Sequence, residues 1–335
     1  YDEADYNAEQ LFRIKCGDPN VTSLAVDFSG DDETNIDGVD WERDGECFAG
    51  NTHLKALSIH DLRDDLIEDY DDREEPANTQ DRRAFYRGVA SNRSIRNLTL
   101  DVATHDEYDV FVILAPFFEH NRNLRSIEAL NLVMDPRSTQ VFASSISRCS
   151  NSSLRRFVLR CQGRMDDDSA AQLITALTGL PHLNEICLNI GLNYGGENGC
   201  LALVQLLKNP TSKIKRLDIG SNSIDDNGLK ILADGLANNK RLKSLSLEGN
   251  GAITPSGWIP LFTMCLANLE SLEVLNLSTN SIDNDGAAAL GKGLANLKKL
   301  KILDLSDLGI TSSGWHALAL CLRSLPSIEC LSLYH

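Results

Sequence analysis

The sequence predicts an α/β solenoid, a horseshoe with parallel strands on a concave face and helices on a convex one. Three observations carry this. One phrase, L-x-x-L-x-L-x-x-N-x-I, returns at Ile214, Leu242, Leu272, Leu300 and Ile328, at intervals of 28, 30, 28 and 28 residues. Self-similarity at such a period marks a repeat architecture. Within each phrase, apolar residues two apart, such as Leu217 and Ile219, suit a strand with one buried face. After each phrase come a polar turn and an amphipathic run, such as Leu229, Leu232, Ala233 and Leu236 at helical spacing. One strand and one helix cannot bury these faces alone, but stacked neighbours can. At 335 residues the chain is too long for one ordinary core, a limit that a linearly growing core escapes.

In chain order, residues 1–20 are assigned to an N-terminal capping helix, with Leu11, Phe12 and Ile14 as its apolar positions. Residues 21–335 form the repeat domain, divergent and loop-decorated over 21–213 and near consensus over 214–335. The first strand spans 21–28 with Leu24 and Val26 inward, and residues 29–46 read as an acidic loop. Further phrases begin at Leu54, Ile95, Ile127, Leu154 and Leu183, giving about eleven repeats. Helical runs follow over 84–92, 110–121, 139–149, 169–180 and 200–209. The Asn position of the phrase holds Asn222, Asn250 and Asn280, and elsewhere Asp135, Gln162 or Leu308. Gly235, Ala289, Gly291 and Gly293 read as packing devices, since Gly inside a helix otherwise costs about 1 kcal/mol. The chain closes just after a strand phrase, so either that strand ends the fold or a longer protein continues.

Charge is distributed unevenly. The net charge is −16. Residues 1–81 carry 24 acids against 6 bases, whereas the remainder is nearly balanced at 24 and 26. The longest insertion, 61–83, concentrates Asp64, Asp65, Glu68, Asp69, Asp71, Asp72, Glu74 and Glu75. Loops of that length are usually functional or disordered. An acidic field disfavours nucleic acid and anionic membrane and favours a basic partner. There is no apolar run long enough for a membrane span. The first ten residues do not resemble a signal peptide, which leaves room for a targeting segment already removed. Nine cysteines, an odd count without C-x-x-C, read as free thiols of a cytoplasmic or other reducing compartment. The five N-x-S/T sequons read as coincidental.

The phrase, its near-28-residue period and the full helix per repeat resemble the ribonuclease-inhibitor-like class of leucine-rich repeat proteins. That class also holds the repeat domains of NOD-like receptors and the Ran GTPase-activating protein. The resemblance covers residues 21–333 and is closest over 214–333. It implies a non-enzymatic scaffold or subunit of a larger complex that binds a protein through its concave face. Alternatives are a GTPase regulator or the sensing module of a larger receptor. Positions flanking the inward pairs supply the candidate contacts: Asp27, His60, Asp101, Asn131, Arg156, Arg160, Asn189, Asp218, Glu248, Asn276, Asp304 and Asp307. This face lacks the many Trp and Tyr of the classical ribonuclease inhibitors.

Other motifs read as structural. Glu33–Asp44 has an EF-hand-like Gly38 but the wrong terminal ligands. Asp225-Asp226-Asn227-Gly228 and Asp283-Asn284-Asp285-Gly286 read as turns and N-caps. Gly191–Gly196 lacks the Lys and Ser/Thr of a P-loop. The histidines show no zinc spacing, and no nucleophile–base pair is evident. No cofactor or metal is implied. Arg155, Arg156, Arg160 and Arg164 form a cationic cluster, expected to pair with Asp166, Asp167 and Asp168.

Overall fold

The computed structural model describes residues 3–28, 41–62, 79–103, 110–149, 153–163, 165–192, 196–237, 239–323 and 325–334. It confirms an α/β leucine-rich-repeat solenoid in which strand and helix alternate along the chain. Two compact units divide it, residues 1–162 and 163–335.

The first unit carries β1 (Ser23–Asp27), β2 (Ala56–Leu62), β3 (Asn97–Ala103), β4 (Ser126–Leu132) and β5 (Arg156–Cys161), each parallel to the one before. Helix α1 (Glu3–Lys15) precedes β1 and buries Leu11 and Ile14, while Phe12 is 66% exposed. The other helices are α2 (Trp41–Gly50), α3 (Thr79–Ser91), α4 (Val110–His120) and α5 (Pro136–Ser147). Helix α2 occupies part of the stretch expected to be acidic loop. It forms because Phe48 is fully buried and stacks edge-on against Phe85 of α3, at 5.1 Å between ring centroids. Gly45 and Gly88 let these helices meet backbone to backbone: a Cβ on Gly88 would lie 2.0 Å from the Gly45 carbonyl oxygen. This unit fills its interior with aromatic rings, Phe111, Phe117, Phe118, Phe142 and Phe157 among them.

The fourth phrase begins three residues earlier than the spacing suggested. Leu98 of β3 pairs with Ile127, and Leu100 with Ala129, so the phrase starts at Leu124. Its ninth position is therefore the buried Leu132, and Asp135 is instead the N-cap of α5, accepting from the Ser138 N–H. The signal that would have fixed this lies upstream. Asn51, Asn92 and Asn121 each stand three residues before a phrase and are buried. Asn92 donates to the carbonyls of Phe48 and Asn51 at 2.6 and 3.0 Å and accepts from the N–H of Ile95. Asn121 donates to the Ile95 carbonyl at 2.9 Å. These amides satisfy backbone groups that stacking removes from water.

The second unit contains β6 (Glu185–Asn189), β7 (Arg216–Asp218), β8 (Ser244–Ser246), β9 (Val274–Asn276), β10 (Ile302–Asp304) and β11 (Cys330–Ser332), again parallel in chain order. Its helices are α6 (Asp167–Leu177), α7 (Asn198–Lys208), α8 (Asp226–Leu236), α9 (Pro255–Pro260), α10 (Asn284–Leu294) and α11 (Ser312–Leu322). After α9 the chain widens into a π-turn over Leu261–Cys265, because Pro260 has no N–H for the regular ladder. Asp225 and Asp283 accept from the N–H groups of Gly228 and Gly286, which makes the two Asp/Asn/Gly runs helix caps. Asn222, Asn250 and Asn280 bond the backbone between repeats as expected. The glycines pack helices: a Cβ on Gly235 would lie 2.7 Å from Val204, and one on Gly293 2.5 Å from the Phe262 carbonyl oxygen. In the last phrase, Leu331 of β11 and Leu333 just past it are 37% and 43% exposed, where Leu303 and Leu305 of the preceding repeat are fully buried.

Candidate functional site

The fourth and sixth residues of each phrase turn into the core, so the third, fifth and seventh stand on the open face of the sheet. Strand register aligns them into columns. In the first unit the seventh-position column runs Asp27, His60, Asp101. The His60 Nδ1 lies 3.4 Å from Asp101 Oδ2, and Asn131 donates to Asp101 Oδ1 at 2.6 Å. The structure thus brings four predicted residues, Asp27 to Asn131, into one polar group. Asn131 is not on a regular strand position. It sits at a register irregularity of β4 with φ 56°. The face positions of β4 are Ser126, Glu128 and Leu130, none anticipated. Arg156, expected to pair with Asp166, Asp167 and Asp168, pairs with Glu128 at 2.6 Å. Those three acids serve helix ends: Asp166 caps α6, Asp167 accepts from the N–H groups of Asn198 and Gly199, and Asp168 accepts from the Asn198 amide. Side-chain and then backbone bonding from Ser169 holds the Asp166 carboxyl below its usual range. Arg160 is exposed at the seventh position of β5.

In the second unit the fifth-position column is unbroken from β6 to β11: Cys187, Asp218, Ser246, Asn276, Asp304, Ser332. At about 4.8 Å between strands it extends for roughly 24 Å. Each carboxylate or amide is oriented locally. Asp218 accepts from the Gly220 N–H at 3.0 Å and from the Cys187 thiol at 3.2 Å. Asn276 donates to Glu248 at 2.8 Å and accepts from the N–H and hydroxyl of Ser278. Asp304 accepts from the Ser306 N–H at 3.0 Å. Asn189 lies half-buried at the seventh position of β6. Asp307, expected on this face, instead occupies the turn past β10 with φ 51°. Ser221 and Thr279 take the same left-handed conformation at the same phrase position, φ 52° and 56°. That position turns the chain off the strand, so its side chain belongs to the rim.

The column beside it is apolar toward the C-terminal strands. Val274, Ile302 and Cys330 are register partners, and Ile302 is 41% exposed. Only polar residues were expected on this face; the third position of each phrase carries the signal for this ledge. The acidic residues Asp64, Asp65, Glu68, Asp69, Asp71, Asp72, Glu74 and Glu75 lie outside the described residues, as do most of Glu33–Asp44 and Arg164. Burial pushes the thiols of Cys161, Cys200 and Cys265 up to about 12. No helix among the described residues is long and apolar enough to cross a membrane.

This geometry defines a leucine-rich repeat protein, and comparison with known proteins agrees. A family model described as Leucine Rich repeat matches residues 212–233 and 268–291. A human NACHT, LRR and PYD domains-containing protein 13 is 32% identical over 128 residues, which cover 38% of this chain and 12% of that protein. The pig ribonuclease inhibitor is 33% identical over 165 residues, 39% of this chain and 35% of the inhibitor. These matches support a likeness to the ribonuclease-inhibitor-like leucine-rich repeat proteins, and the chain matches only a minor part of these relatives' length. An internalin from Listeria monocytogenes aligns over 98% of this chain and 94% of its own, at 15% identity and a TM-score of 0.42.

Proposed function

We propose that the chain is a non-enzymatic binding module that takes a protein partner on the open face of its sheet, and that the partner's contacting surface is basic. The observation that carries this is the aligned column from Cys187 to Ser332, with Asp218, Glu248 and Asp304 as carboxylates in and beside it. Their local hydrogen bonds fix the side chains before a partner arrives, which lowers the ordering cost of binding. The ledge of Val274 and Ile302 supplies apolar area next to that charge, the combination of anchor and polar rim that interfaces use. The acids of 61–81 would add long-range attraction for the same basic surface. The module works within a larger complex in a reducing compartment.

The test compares proteins captured by the wild-type chain with those captured by two variants at low and moderate salt. One variant carries Asp218→Lys and Glu248→Lys. The other replaces the eight acids from Asp64 to Glu75 by Asn or Gln. A basic partner lost with the first variant supports the face as the site. Loss only with the second moves the site to the acidic insertion. Retention by both refutes the reading.

A further inference from the structure

The loops that lead from helix into strand make the opposite rim of the second unit. Between the connections entering β6, β7 and β8 lies a cleft of about 1040 Å3. Its lining includes Lys213, Lys215 and Arg241, with Asn184, Leu180 and Pro181, and it contains no carboxylate. Three neighbouring cations are each met by an acid. Arg216 lies 3.2 Å from Glu185, Lys243 lies 2.5 Å from Glu273, and Lys208 lies 3.6 Å from Asp234. The cleft cations are not treated in this way. Arg241 donates to the Ser212 carbonyl oxygen, and no hydrogen bond or ion pair joins the side chains of Lys213, Lys215 or Asn184 to another described residue. All three cations are exposed, so packing does not require them. A cleft lined by one sign of charge focuses its field and concentrates the opposite charge.

We infer that this cleft is a docking groove for an acidic peptide segment of a partner protein. The volume lies at the top of the roughly 300–1,000 Å3 range of small-molecule pockets, and the cations come from two successive connections, which suits an extended chain rather than a single anion. Arg241 can hold a carboxylate through two parallel N–H bonds, the lysines act as point charges, and the Asn184 amide offers a neutral donor. Nucleic acid is the poorer fit. Its affinity grows with the number of phosphates neutralised, and three cations on a chain of net charge −16 neutralise few. The groove is separate from the open sheet face and prefers the opposite charge, so the two surfaces can be tested independently.

The experiment titrates the full chain into a fluorescein-labelled peptide of glutamates and follows anisotropy at low and moderate salt. Saturable, salt-weakened binding is expected. The variant Lys213→Gln/Lys215→Gln/Arg241→Gln should lose at least about tenfold in affinity. A charge-matched control, Lys230→Gln/Lys298→Gln/Lys299→Gln, also at exposed sites, should stay within about twofold. Equal losses in both variants would reduce the effect to net charge and overturn the groove. So would absence of peptide binding by the wild-type chain. Displacement of the peptide by inorganic phosphate or duplex DNA at equal charge concentration would reassign the cleft to phosphate groups and overturn the acidic-peptide inference.

Discussion

Replacing Asn280 by Ala tests how the repeats hold one another. The side chain is 5% exposed and connects two repeats. Its amide donates to the carbonyls of Leu247 and Leu277 at 2.9 Å and Ser278 at 3.1 Å, and its Oδ1 accepts from the Asn250 N–H at 2.9 Å. After the change the Leu247 carbonyl keeps the Asn250 amide, and the Ser278 carbonyl keeps the Gly249 N–H. The Leu277 carbonyl and the Asn250 N–H keep no partner among the described residues. Each buried orphan costs about 1–3 kcal/mol, so a loss of about 4 kcal/mol is expected. Urea unfolding followed by the fluorescence of Trp258, which is fully buried in the same unit, reads this directly. Asn268→Ala, at an exposed site where the amide bonds only the Met264 carbonyl, serves as control and should cost less than about 0.5 kcal/mol. If the two variants unfold at the same urea concentration, the asparagine ladder does not hold the repeats together and the reasoning fails.

Two further outcomes follow from packing. Gly88→Ala forces α2 and α3 apart, because its Cβ would meet the backbone of Gly45. The first unit should lose about 1–3 kcal/mol, read by thermal unfolding in circular dichroism; an unchanged melting temperature would show that these helices do not touch as described. Thiol labelling at pH 8 should modify the exposed Cys16 and Cys330 quickly. Cys200 and Cys265, both buried and held protonated until the pH approaches about 12, should react only on unfolding, so fast modification of both would contradict their burial.

Much of the molecule was legible in the chain. Leucines two apart, an Asn three after them and an amphipathic run recur because every repeat solves the same burial problem with its neighbours, so Ile214 to Leu333 could be assigned strand by strand. The same logic placed Asp218, Asn276 and Asp304 on the open face, since alternation along a strand is a local property. Other features depended on which residues meet across repeats. Helix α2 hides in an acidic stretch, because its formation depends on Phe48 and Gly45 meeting α3, some forty residues away in sequence. The register of β4 shifted by three because Asn121, not the next aliphatic residue, bonds the previous repeat. Asn131 and Asp307 moved to the rim because a left-handed turn follows the strand, which alternation cannot reveal. The pairing of Arg156 with Glu128 and the unpaired lysines of the cleft arise only when separate repeats are stacked. Local periodicity thus determined the fold and the composition of its face; long-range contact decided which charges are neutralised and which are left to bind.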